Sequence, residues 1–151
     1  MYKYFLAGPE YLQDICCIEE ACFNNPWSRK SIEEMLTEAS SVAVIAVNDN
    51  EAIGYASAYI GGDMLYINNV AVLSEFRRRG VAKNLLHNLL RYAARNGASE
   101  ATLEVRTSNT AAKYLYEGCG FTEVGIRKRY YSCPEEDAII MNLTGVGIYA
   151  D

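Results

Sequence analysis

At 151 residues and 16.8 kDa the chain has the usual size of one globular domain, and a half-hydrophobic composition with 22% charged residues excludes a disordered chain or a fibrous repeat. A formal charge of −5 excludes a broad, non-specific grip on nucleic acid, which draws its affinity from clustered Lys and Arg. That charge is uneven, because residues 1–63 carry ten acids against three bases and residues 64–151 nine acids against eleven bases.

In chain order, a strand is predicted over Tyr2–Leu6. After Gly8-Pro9 a helical pattern runs to about Phe23, with Leu12, Ile15, Cys16 and the pair Glu19/Glu20 dividing into apolar and polar faces. Asn24-Asn25-Pro26-Trp27 reads as a loop, and Ser28 as the N-cap of a helix to about Ala39. Ser41–Val47 and Ala52–Ile60 have strand character with a hairpin-like loop between them, and a turn at Gly61-Gly62-Asp63 leads to a strand over Met64–Val72. Leu73–Arg79 is a polar, basic connection. Gly80 then opens an amphipathic helix with Val81, Leu85, Leu89 and Ala93 on one face and Asn96-Gly97 as its stop. Ala101–Arg106 is predicted as a strand, with Leu103 and Val105 on one face and Thr102, Glu104 and Arg106 on the other. Ser108 or Asn109 caps a helix that ends at Cys119-Gly120, and Phe121–Tyr130 with Ala138–Leu143 forms a terminal hairpin. This order predicts one α/β domain over 1–151, with a mixed, largely antiparallel sheet, four flanking helices and a tail at 144–151.

Five cysteines and the single His87 lack the spacings of a zinc site, so no metal is expected. Unpaired thiols, no signal-like apolar run at Met1–Pro9 and no stretch of about 20 apolar residues lead to the expectation of a cytoplasmic protein with no membrane association. Seven of the 14 bases lie in two runs, Arg77-Arg78-Arg79 with Lys83 and Arg127-Lys128-Arg129. They are either solvated surface or the grip of a small anionic ligand. At the first run a strand end, a basic loop and a helix start follow one another, and the unpaired N–H groups of a first helical turn can receive a pyrophosphate. Gly80 and Ala82 are small enough for close approach, although an ordinary helix start has the same composition. The Walker spacing is absent.

The string Arg77-x-x-Gly80-x-Ala82 after Asn69-Val70-Ala71-Val72 resembles the acetyl-CoA signature of the GCN5-related N-acetyltransferases, the GNAT family. Leu103-Glu104-Val105-Arg106-x-Ser108-Asn109, Leu115-Tyr116-Glu117, Gly120-Phe121, Arg127-x-x-Tyr130-Tyr131 and Glu136–Met141 resemble the ribosomal-protein-alanine N-acetyltransferases (RimI type) within it, and Pro26-Trp27-Ser28 fits the same pattern. The resemblance implies a GNAT fold and acetyl-CoA as cosubstrate. Val70, Ala71 and Val72 would hold the thioester arm, with the Val72 N–H toward the carbonyl oxygen. The main-chain amides of Arg78, Arg79, Gly80, Val81, Ala82 and Lys83 would take the pyrophosphate, and Asn109 the arm near its reacting end. Glu104 would be the general base and Tyr116 the general acid. Asn109 and Tyr116, seven residues apart, share a helix face at about 10 Å, which suits two contacts along one extended arm.

The acceptor implied is the N-terminal alanine of a ribosomal small-subunit protein, attacked directly in a ternary complex. An α-amine has a pKa of about 7.7–8.0 against about 10.4 for lysine, so one modest base deprotonates it more readily. The acidic first half suits a basic peptide, with Trp27, Tyr130 and Tyr131 as groove walls or as packing residues. A relaxed lysine or small-amine acetyltransferase, and a non-catalytic acyl-CoA-binding module, are the alternatives. Direct nucleic-acid binding is not expected, and the sequence is silent on oligomeric state.

Overall fold

Alternation along Ala101–Arg106 puts Ala101, Leu103 and Val105 in the core and leaves Thr102, Glu104 and Arg106 half-buried on the opposite face. The computed structural model, which describes residues 1–150, places this strand within a seven-stranded sheet. Its strands are β1 (Tyr2–Leu6), β2 (Ser41–Asn48), β3 (Glu51–Gly61), β4 (Met64–Val72), β5 (Glu100–Arg106), β6 (Thr122–Tyr131) and β7 (Glu136–Thr144), in the order β1-β2-β3-β4-β5-β7-β6. Every neighbouring pair is antiparallel except β4 and β5. The α/β class with a mixed sheet and four α-helices is as expected: α1 (Leu12–Cys22), α2 (Arg29–Thr37), α3 (Val81–Arg95) and α4 (Thr110–Gly118).

The helix periodicities decide which face each covers. Val81, Leu85, Leu86, Leu89, Leu90 and Ala93 of α3 pack on one sheet face with Val44, Ala56, Leu65 and Leu103. Each fully buried leucine contributes about 1.5–3 kcal/mol. Ile15 and Ile18 of α1, with Ile32 and Met35 of α2, cover Ala43, Ile45, Tyr55 and Ala71 on the other face. These two helices lie over β2, β3 and β4, so the Thr102–Glu104–Arg106 face of β5 is left uncovered by either.

Local chemistry accounts for most boundaries. The Ser28 hydroxyl accepts from the Ser31 N–H at 3.1 Å, as its N-cap role requires, and α2 ends at Thr37 rather than near Ala39. The segment before α1 is a 3-10 turn at Pro9–Tyr11. Residues 144–150, expected as a tail, are docked. Thr144 ends β7, Val146 is fully buried beside α3, and the Tyr149 hydroxyl donates to the Cys119 carbonyl at 3.2 Å. Asp151 lies outside the described residues. No helix among the described residues is long and apolar enough to cross a membrane.

Glu136, at the start of β7, clamps the turn between β5 and α4. Its carboxylate accepts from the Ser108 N–H at 2.6 Å, the Thr107 hydroxyl at 2.9 Å and the Arg106 guanidinium at 3.1 Å. Those hydrogen bonds, Ser108 foremost, bring its carboxyl from an ordinary 4.5 down to about 2. A depressed folded-state value means that the stabilisation is complete above about pH 4.5 and is lost as pH falls toward 2. Glu136→Gln is therefore expected to flatten the dependence of stability on pH across that acid window, read by urea unfolding at a series of pH values.

Candidate active site

The site begins where two strands part. β4 and β5 pair only at Met64–Glu100, Leu65–Ala101 and Tyr66–Thr102. Just beyond, the β3–β4 register shifts between Ser57 and Ala58, which leaves Asn68 as an extra residue in β4. Such a bulge bends its strand. β5 meanwhile stays paired with β7 up to Arg106, so a gap opens between residues 67–72 and 103–106. The gap lies between the carboxyl ends of two parallel strands, where open α/β sheets receive ligands. α3 follows β4 and α4 follows β5, so both helical N-termini, each with unpaired N–H groups, lie beyond the same strand ends.

The edge of β4 that faces the gap follows from hydrogen-bond alternation. The Leu73 N–H donates to the Ile53 carbonyl of β3 at 2.9 Å, which turns the peptide groups of Ala71 toward β3 and those of Val70 and Val72 toward the gap. Arg77 Nε donates to the Val72 carbonyl at 2.9 Å, fixing the end of this strand. Gly54, opposite Val72, is obligatory because a Cβ there would lie 2.8 Å from the Ala71 carbonyl oxygen.

Gly80 sits at φ +79° immediately before α3, a conformation that costs a side-chain-bearing residue about 1–2 kcal/mol. Gly80→Ala is expected to lose that much stability, measured by urea unfolding without ligand. Val81 is buried, whereas Arg78, Arg79 and Lys83 are exposed. The Arg79 guanidinium is already engaged, with the Tyr2 hydroxyl at 3.2 Å and with the Phe76 ring, so toward α3 Arg79 offers its main chain. Asn109 caps α4 through its side-chain oxygen, which accepts from the Ala112 N–H at 3.1 Å and leaves its NH2 group free to donate.

Glu104 lies on the open face of β5. Arg127 Nε donates to its Oε2 at 3.0 Å, with the two side chains 55% and 26% exposed for Arg127 and Glu104 respectively, a pair still within reach of solvent. Of the two readings of the second basic run, the contacts favour surface charge over an anion grip. Arg127 pairs with Glu104, Lys128 with Asp137 at 3.2 Å and Arg129 with Glu135 at 4.0 Å. Tyr130 and Tyr131 stand edge-to-face on the same hairpin, with ring centroids 4.9 Å apart. Burial, then Tyr130 and the Glu104 charge, push the Tyr131 phenol up to about 12. Arg106 holds the hairpin tip by donating to the Ser132 and Pro134 carbonyls at 3.1 and 3.0 Å, and it covers the Tyr131 ring at 4.5 Å.

Tyr116 points its ring into the core, edge-on to Phe121 with centroids 5.8 Å apart. Burial, followed by Tyr131, holds its phenol above the ordinary range. The Tyr116 residue is buried, 8% exposed. Tyr131 thus lies within electrostatic range of both Glu104 and Tyr116.

On the same sheet face as Glu104, Tyr59 and Tyr66 stack at 4.7 Å with planes 9° apart. Beyond them a groove of about 270 Å³ is lined by Trp27, Ser31, Glu34, Met35, Glu38, Ser41 and Asn68. Its two carboxylates give a cation a place to rest.

Residues 12–121 match the family model described as Acetyltransferase (GNAT) family. The chain belongs to the GNAT family of acetyltransferases. It is an N-acetyltransferase with acetyl-CoA as its acyl donor, and the gap with its two helical N-termini fits an extended ligand that carries phosphates. The chain is 37% identical, over 83% of its length and 86% of the relative's, to the [ribosomal protein bS18]-alanine N-acetyltransferase of Salmonella typhimurium. Its identity to the enzyme of that name from Haemophilus ducreyi is 35%, over 83% of this chain and 88% of the other. The crystal structure of the ribosomal-protein-S18-alanine N-acetyltransferase from Escherichia coli superposes with a TM-score of 0.89 at 30% identity, covering 96% of this chain and 94% of that one.

Three features of this acetyltransferase's site were not foreseen. The Arg127–Glu104 pair depends on the β6–β7 register, and the Tyr59–Tyr66 stack on that of β3 and β4. Glu19, grouped with Glu20 in sequence, is 1% exposed; its spacing of four from the buried Ile15 was the available signal.

Proposed function

We propose that this acetyltransferase transfers the acetyl group of acetyl-CoA to the α-amine of an N-terminal alanine on a ribosomal small-subunit protein, by direct attack in a ternary complex. The observation that carries the reading is Glu104, a carboxylate on the uncovered face of β5 at the mouth of the strand gap, with a groove containing Trp27, Glu34 and Glu38 on the acceptor side. The relatives named for bS18 alanine acetylation support the acceptor.

Acetyl-CoA supplies an activated thioester carbonyl and a thiolate leaving group. The main-chain N–H groups of Val70 and Val72 face the gap, and that of Val72 donates to the thioester carbonyl oxygen as negative charge builds there. The amides of Arg78, Arg79, Gly80, Val81, Ala82 and Lys83 hold the pyrophosphate, and the free NH2 group of Asn109 holds the arm near its reacting end. Ala71 faces β3 and keeps β4 in place through the tight contact with Gly54. Glu104 takes a proton from the amine as its nitrogen bonds to the carbonyl carbon. The carbon–sulfur bond breaks, and the Tyr116 hydroxyl donates to the departing sulfur. A phenol held above its ordinary range remains protonated at neutral pH, so it is a donor there and never a competing base.

The test is a peptide panel with acetyl-CoA. A basic peptide beginning with a free alanine is expected to be acetylated, and the same peptide with a blocked N-terminus is not. Equal rates on blocked peptides through internal lysines overturn the α-amine reading in favour of a relaxed lysine acetyltransferase.

A further inference from the structure

We infer that Glu19 is a positioning residue that sets the acceptor side of the active site, an assignment that rests on the N-terminal acetyltransferase reading above. Glu19 lies on the last turn of α1 and is 1% exposed. Its carboxylate is met by three donors from three different elements. The Trp27 N–H of the α1–α2 loop donates to Oε1 at 2.7 Å, and Asn69 Nδ2 of β4 donates to Oε2 at 2.9 Å. The hydroxyl of the fully buried Tyr55 in β3 also donates to Oε2, and Asn69 Nδ2 lies 3.1 Å from that hydroxyl.

None of those partners is cationic. A buried carboxylate satisfied only by neutral donors stabilises a core less well than an apolar side chain of the same volume, so α1 packing alone does not account for it. What the carboxylate does supply is a directional tie between two walls of the site. Trp27 lines the acceptor groove together with Asn68. Asn69 is the next residue of β4 and directly precedes Val70, whose peptide groups face the gap. Through one carboxylate the loop that borders the acceptor is therefore referenced to the strand that borders the donor. Loss of the tie frees Trp27 and residues 23–28 while leaving the α3 and α4 termini, Glu104 and Tyr116 untouched.

The experiment uses the full chain and the variants Glu19→Gln and Glu19→Ala. In Gln an amide oxygen still accepts the Trp27 N–H, but the hydrogen bond is no longer charge-assisted, a loss worth about five-fold in an equilibrium. Hydrogen exchange at the Trp27 amide is expected to quicken by about that factor in Glu19→Gln and by more in Glu19→Ala. KM for an alanine-ended peptide is expected to rise in the same order, with kcat and the KM for acetyl-CoA unchanged. Trp27 is the single tryptophan, so quenching of its fluorescence by the peptide gives the acceptor affinity without turnover. Unchanged exchange and unchanged peptide KM in Glu19→Gln overturn the inference, as does a parallel rise of both KM values, the mark of general loosening. If Glu19→Ala does not fold, Glu19→Gln decides alone. Failure of the wild-type protein to acetylate the peptide overturns the proposed function instead, and the exchange measurement still reads the Trp27 tie.

Discussion

Glu104→Gln is expected to lower kcat by about 10²–10⁴-fold, the usual contribution of a positioned general base, with acetyl-CoA affinity unchanged. The substitution is isosteric, and an amide oxygen still accepts the hydrogen bond that Arg127 Nε makes to Oε2, so neither β5 nor the hairpin needs to move. The cofactor contacts proposed above lie on β4, α3 and α4, away from the altered carboxyl. Remaining turnover then depends on amine that has already lost its proton in solution, and rises with pH toward the α-amine pKa of about 7.7–8.0. Steady-state rates across pH with calorimetric binding of acetyl-CoA separate the two effects. Wild-type turnover at all pH values would assign proton removal to water or to another group.

Tyr116→Phe is expected to slow the single-turnover rate by about 10²–10³-fold, the range seen when one preorganised donor to developing charge is removed. Thermal stability should barely change. The phenyl ring keeps its edge-on contact with Phe121 and its place in the core. Because burial holds the phenol above its ordinary range, no limb of the pH–rate profile near neutrality belongs to it, and the profile should keep its shape as its height falls. Lost stability with an unaltered single-turnover rate would return Tyr116 to a packing role.

The parts of the site that were legible are those carried by local rules. The apolar spacing of Val81, Leu85, Leu89 and Ala93 fixes which side of α3 is buried, and this places Gly80 and the first-turn amides at the strand end. The alternation of Leu103, Glu104 and Val105 puts a carboxylate on the face opposite the core, and the cap at Asn109 starts the next helix. Less legible were residues whose partners are far along the chain. Arg127 reads as one of three consecutive bases, yet the bulged β6–β7 register turns it onto Glu104. Glu19 and Asn69 are 50 positions apart and meet only when α1 lies across β4.

Period, capping and glycine placement were written locally, and so the order of elements, the α/β class and the helix start at Gly80 followed from residue types alone. Where β4 leaves β5 was decided elsewhere. The parting depends on one extra residue at Asn68, whose effect exists only relative to the register of β3, and on the β5–β7 pairing that holds the other strand in place. A bulge changes the direction of a strand and exposes its edge through hydrogen bonds that no single segment contains. Arg127 opposite Glu104, the stacked tyrosines and the buried Glu19 take their places from that three-dimensional register, because electrostatics and packing act across space, whereas propensity acts along the chain.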